Sequence, residues 1–288
     1  VTKEENVRAY ADIIHAACLA AYLRGAVKVA THAARAGAVA LAMGGAAYPS
    51  NLADRSDLFD VHAPVKVLEQ KGLMTKFEFD ALDAGYKRYS FTVAWVDSQN
   101  LLAATRDALS TAVREGQTFE QWRESVNAAF AAEGFTHPAT GKERLANWHL
   151  HTVFETNVMS AYSAANWDLL HDPDVAGIFR FYQWDTLGEN TCELCAPLNG
   201  VTLPVDDPFW LTHWPLLHYK CHCTISALDH EEAQRRGIEA TDVPPGIPSA
   251  YANGFGQAHG AKGHWAIGDE LLKRAQAEIA RNAQGGAA

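Results

Sequence analysis

Gly177-Ile-Phe-Arg-Phe-Tyr-Gln-Trp184 is the stretch on which the fold class turns. Upstream of it, apolar residues recur every three or four positions, the spacing of one helix face. This segment is instead a strand-length run rich in aromatics, bounded by Gly177 and by Leu187-Gly188. Cys223-Thr-Ile-Ser-Ala-Leu228 is a second strand candidate. Between them Pro197, Asn199-Gly200, Pro204, Pro208 and Pro215 mark a turn-rich stretch. The expected class is α+β, predominantly α-helical: a helical body followed by a small strand-and-loop module.

Working back from that stretch, a long helix is expected from Thr140 to about His171. Thr140 and Glu143 form a capping-box pair, and Leu150, Phe154, Val158, Ala161, Ala165 and Leu169 share one face. His151 and Glu155, at i and i+4, read as a solvated contact on that helix. Thr118 and Gln121 open a preceding helix with Phe119, Trp122, Val126 and Phe130 as its buried stripe, ended by Gly134. Before it, Asp97 or Ser98 caps a helix carrying Leu102, Leu109 and Val113 and closed by Gly116. Short helices are expected over Val65–Lys71 and Lys76–Lys87, and an Ala-rich one from about Glu5 to Met43. The expected division is an N-terminal helix over 1–50, a helical body over 51–175, the strand module over 176–237, and a linker with a terminal amphipathic helix over 238–288.

Net charge and composition narrow the function classes. The 288 residues hold 24 Lys and Arg against 34 Asp and Glu, a formal net charge of −10. Double-stranded nucleic acid is gripped mainly by cationic side chains, so an acidic chain without a basic patch argues against DNA binding as the main task. No secretory signal pattern stands at Val1-Thr-Lys-Glu-Glu5. Arg24, Lys28, His32 and Arg35 break the Ala-rich stretch short of the roughly 20 apolar residues a membrane span needs. No membrane association is expected.

Four of the five cysteines fall within 32 residues. In a chain of this size without a secretory signal, such clustering points to a metal rather than to disulfides. Cys192-Glu-Leu-Cys195 has the spacing of a metal knuckle, and 22 residues later comes His218-Tyr-Lys-Cys221-His222-Cys223. Zinc takes four sulfur or nitrogen donors in a tetrahedron. The candidate ligands are therefore Cys192, Cys195, His218, Cys221 and Cys223. His218 and Cys221 repeat the spacing of the first knuckle, and the fourth position stands open between His218 and Cys223. Three Cys and one His close the coordination shell, the mark of a structural zinc. In a short, loop-rich module such an ion would supply folding free energy that a small apolar core cannot. Cys18 reads as a small buried hydrophobe.

Other chemistries meet obstacles. A zinc deaminase needs His-x-Glu ahead of Pro-Cys-x-x-Cys, and here Pro197 follows the CxxC. A metal-dependent nuclease or other hydrolase using His213 or His222 beside the zinc is the alternative reading. Against it, Asp185, Glu189, Glu193, Asp206 and Asp207 face only Arg180 and Lys220 nearby.

From about Asp60 to Gly237 the sequence resembles the bacteriophage Mu F-like minor head proteins, the phage head morphogenesis family. The resemblance is carried, in order, by Tyr89-Ser-Phe-Thr-Val-Ala94, Glu115-Gly-Gln-Thr-Phe119 with Trp122-Arg123, Arg144-Leu145, Thr156-Asn157 and Ala161-Tyr162. It continues through Leu198-Asn199-Gly200, Asp206-Asp-Pro-Phe-Trp210 and Cys221-His222-Cys223. The family's usual Cys-Arg-Cys is Cys-His-Cys here, and its proline pair reads Pro215-Leu216. The resemblance implies a non-enzymatic minor component of a tailed-phage or prophage head. Its place would be the head interior or portal vertex of the virion, and the bacterial host cytoplasm during assembly. It further implies portal, major capsid or scaffolding protein as partner, with contact to DNA left open.

Overall fold

The structure is a computed structural model that describes residues 62–248, apart from 83–86, 88, 173–174 and 187–190. The helices expected over 5–43 and 269–281 lie outside the described residues. Seven α-helices and five strands follow one another among those described. They are α1 His62–Glu69, β1 Gly72–Leu73, α2 Lys76–Ala81, β2 Ser90–Phe91, α3 Gln99–Glu115, α4 Phe119–Ala132 and α5 Asn147–Leu170. Then come β3 Phe179–Asp185, β4 Thr202–Pro204, α6 Phe209–His213, β5 Thr224–Asp229 and α7 His230–Arg236. The class is α+β.

Local chemistry sets most of these boundaries. Ser98 caps α3 through the backbone N–H of Leu101, and Gly116 ends it in the left-handed conformation at φ 66, which a glycine adopts without steric cost. Thr118 and Gln121 form the reciprocal box that starts α4, whose buried residues are Phe119, Trp122, Val126 and Phe130, the expected stripe.

Thr140 and Glu143, however, do not open the long helix. The His137 carbonyl accepts from the N–H of Thr140 (3.2 Å) and of Gly141 (2.9 Å), while His137 N–H donates to the Lys142 carbonyl (2.7 Å). Gly141 sits at φ 65, outside helical space, so the turn closes on itself. The chain after it carries Leu145 into the core, and α5 begins only after Ala146, which is extended and offers no side-chain cap.

The second departure is the environment of α5. Leu150, Phe154, Val158, Ala161, Ala165 and Leu169 are buried as expected, but so are 11 more of its 24 residues, among them His149, His151, Glu155, Thr156 and Ser160. A helix enclosed on most sides is a central element rather than a surface one. α1 packs on both α3 and α5, α4 lies against α3 and α5, and β5 contacts α5.

β3 is the middle strand of a three-stranded antiparallel sheet ordered β4-β3-β5. Beyond α7 the chain returns to β4, where Thr202 N–H donates to Thr241 Oγ1 (2.9 Å) and Thr241 N–H to the Thr202 carbonyl (2.8 Å). The module is not poor in apolar residues, contrary to expectation. Trp184, Trp210, Trp214, Leu198, Leu203, Leu216 and Leu217 are buried in the same continuous core as the helices. Trp214 meets Trp167 of α5 edge-on at 4.8 Å and donates its indole N–H to the Ser163 carbonyl (3.2 Å). Tyr182 Oη donates to the Leu170 carbonyl at 3.1 Å.

Lys71 is an exception to the apolar interior. It is 4% exposed, and its Nζ donates to Ser160 Oγ (3.2 Å) and Asn157 Oδ1 (3.5 Å), two neutral oxygens on α5. Burial pulls its pKa down from 10.5 to about 8. The unfolded chain therefore binds a proton between pH 8 and 10.5 that the folded chain does not, so stability rises with pH across that window. Urea unfolding should show this rise as the difference between wild type and Lys71→Met, on the order of 3 kcal/mol in total. Lys71→Met should abolish it and be the more stable protein at pH 7. A wild-type profile identical to that of Lys71→Met would contradict this account.

Candidate metal centre

The two expected knuckles are both formed. In the first, the Cys192 carbonyl accepts from the N–H of Cys195 (3.1 Å) and of Ala196 (2.9 Å), a tight turn that leads into a 3₁₀ turn at Ala196–Leu198. In the second, Cys221 N–H closes back on the His218 carbonyl (3.2 Å), with Lys220 in the left-handed conformation at φ 58. Each knuckle is a local device, and the sheet sets them facing one another. β3 leads toward the first, and β5 begins one residue after Cys223.

The structure brings all five candidate ligands together. Cys192, Cys195 and His218 form one group and Cys195, Cys221 and Cys223 another, with donor atoms in each lying within 4.8 Å of one another. His218 Nε2 stands 3.1 Å from Cys192 Sγ and 3.3 Å from Cys195 Sγ, and Cys195 Sγ stands 3.8 Å from Cys221 Sγ. A tetrahedron with metal–sulfur bonds of 2.3 Å has sulfur–sulfur edges of about 3.8 Å. The Cys195–Cys221 separation equals such an edge, and the nitrogen–sulfur separations are a few tenths of an ångström shorter than the nitrogen–sulfur edge of about 3.5 Å expected with a metal–nitrogen bond of about 2.0 Å. No two of the four described cysteines are joined in a disulfide. The cluster has the donor chemistry and spacing to hold a metal ion.

The crowding of the thiols drives their proton affinities apart. Cys195, hydrogen-bonded to Cys221 and Cys223 and desolvated, is pushed far above the ordinary thiol range. Cys221 is held well below it, first by the hydrogen bond from Cys195, then by Cys223 and His218. For Cys223 the contact with Cys195 acts downward, but Cys221 and burial outweigh it and the net shift is up. The Cys221 hydrogen bond raises His218 to about 9. A divalent cation among these sulfurs would favour the thiolate form of each.

The remaining histidines face elsewhere. The His213 ring lies flat on Phe209, its Nδ1 2.8 Å from Thr212 Oγ1 and its Nε2 3.3 Å from the Ile247 carbonyl. His222 turns toward α5, where its Nε2 is 3.8 Å from Glu155 Oε1. Glu155 is the residue the sequence reading misplaced. It is 5% exposed rather than solvated, with His151 Nδ1 at 3.0 Å and Lys220 Nζ at 3.8 Å. Its i, i+4 spacing to His151 is visible in sequence, but the burial comes from elements about 65 positions away.

The stretch from within α3 to within β5, both knuckles included, is the part of the chain that resembles known proteins. Residues 103–226 match the family described as Phage Mu protein F like protein, and this region of the chain is Mu F-like. Among individual proteins, one match is the capsid assembly protein F of Escherichia phage Mu, an assignment that its name marks as provisional. It is 23% identical over 166 residues, covering 53% of this chain and 36% of the relative. Another is the Mu-like prophage FluMu F protein of Haemophilus influenzae, 24% identical over 171 residues, 56% of this chain and 40% of the relative. The chain thus spans about two fifths or less of the length of these relatives. No solved structure matches it. Among the described residues no helix is long and apolar enough to cross a membrane.

Proposed function

We propose that the chain is a structural component of a tailed-phage or prophage head, working in head morphogenesis at or near the portal with portal, capsid or scaffolding protein as its partner. The observation that carries this reading is the Mu F-like match over residues 103–226, which includes the core helices and both knuckles. The name of the phage Mu relative, a capsid assembly protein, supports the same role. The task fits a rigid scaffold: the helical body and the strand module share one core, so a contact made by one is transmitted to the other.

Within that scaffold, Cys192, Cys195, His218 and Cys221 hold Zn²⁺ as a structural ion, and Cys223 stands outside the shell. What supports this choice is the pair of matched knuckles and the approach of His218 Nε2 to within 3.1 Å of Cys192 Sγ and 3.3 Å of Cys195 Sγ. Three thiolates and an imidazole leave no open position for substrate. Because the module contributes a buried aromatic core of its own, the ion pins the loops rather than substituting for the core.

Reduced protein should bind one Zn²⁺ per chain. Cys195→Ser and Cys221→Ser should each abolish stoichiometric binding, measured by elemental analysis, while Cys223→Ser retains it. Metal loss in Cys223→Ser together with retention in His218→Ala would reverse the assignment of the fourth ligand. Since the ligands must shed protons to bind, affinity should rise from pH 6 to pH 8.

The head role is tested by sedimentation. The chain should co-purify with heads or procapsids and with portal protein. Its absence from both particles would overturn the proposal.

A further inference from the structure

A buried carboxylate is costly unless positive or hydrogen-bonding partners compensate it. Glu155 lies in the middle of α5 with its side chain 4% exposed. One partner, His151, comes from its own helix. The other two, Lys220 Nζ and His222 Nε2, each at 3.8 Å, come from the second knuckle and flank Cys221 in sequence. The next residue of α5 joins in: Lys220 N–H donates to Thr156 Oγ1 at 3.3 Å, at the residue whose left-handed backbone shapes the knuckle. A single turn of α5 therefore grips the knuckle on both sides of Cys221.

We infer that Glu155 is the outer carboxylate of the metal site, a positioning residue that sets Cys221 through Lys220 and His222 and couples metal occupancy to the seating of the module on α5. This rests on the zinc reading given above. Its physical content is a linkage. With the knuckle closed, the carboxylate has three partners; with the knuckle open, it keeps only His151. Metal binding closes the knuckle and thereby stabilises α5 at Glu155. By reciprocity, an intact Glu155 tightens metal binding by the same factor. Groups that orient metal ligands from outside the coordination shell typically contribute about 10–100-fold in affinity.

The full chain would be titrated with Zn²⁺ against a competing chelator, comparing wild type, Glu155→Gln and, as a control, Glu69→Gln on the exposed Glu69–Arg114 pair. Glu155→Gln keeps the side-chain volume and should weaken binding ~10–100-fold, with Glu69→Gln unchanged. Equal affinities for wild type and Glu155→Gln would overturn the inference. Should Glu155→Gln not fold, hydrogen exchange on the wild-type chain decides. Stripping the metal should accelerate exchange over residues 151–158 more than over 101–113, and equal protection with and without metal refutes the coupling. A wild-type chain that binds no Zn²⁺ would eliminate the metal site itself, an outcome distinct from metal that binds without Glu155.

Discussion

The fold depends on the enclosure of α5. A helix with 17 of 24 residues buried cannot leave its polar side chains to water, so each needs a partner from another element or from the helix itself. Those partners are spread along its length. Glu155 and Thr156 reach the second knuckle, Asn157 and Ser160 take the ammonium of Lys71, and Asn166 Nδ2 donates to the Ile225 carbonyl of β5 at 3.3 Å. Ser163 hydrogen-bonds the Pro215 carbonyl and offers its own carbonyl to Trp214. Apolar packing supplies the bulk of the burial free energy and has little directional preference. These ties fix the angular setting of α5, and with it the position of the strand module.

The candidate metal centre is an outgrowth of that arrangement. Each knuckle is a backbone turn closed by local hydrogen bonds, but two turns make a tetrahedron only if held face to face. The sheet does part of this, since β3 leads into the loop that carries the first knuckle and β5 leaves the second. The contact of α5 with residues 220–222 does the rest. A metal ion placed among Cys192, Cys195, His218 and Cys221 would therefore lock a geometry that the protein has largely prepared, which suits an assembly part better than a site that must open for substrate.

What could be read in the sequence divides along the range of the forces involved. The Thr118–Gln121 box, the Gly116 stop and the two knuckle spacings are settled within a few residues, and all are where local chemistry puts them. Thr140 and Glu143 have the same local pattern, yet Gly141 at φ 65 and the pull of Leu145 into the core prevail over it. The period of α5 identified one buried face, but periodicity is blind to whether other elements cover the remaining faces. β4 is three residues long and lies among prolines, so it carries no strand signal of its own; only its pairing with β3 makes it one. α7 had a readable start, Asp229 three residues ahead of Glu232, and a readable stop at Gly237. Glu155 was out of reach because its environment is built by Lys220 and His222.

The return of the chain past α7 to Thr202 has a consequence for solubility. β4 is an outer strand of the sheet, and an outer strand with unsatisfied backbone groups recruits strands from neighbouring molecules. The N–H and carbonyl of Thr202 are both occupied by Thr241, through its hydroxyl and its amide respectively. The sheet is thereby blocked at this border from growing by strand addition. Contacts with other proteins at this border are then left to side-chain surfaces rather than to indiscriminate backbone pairing.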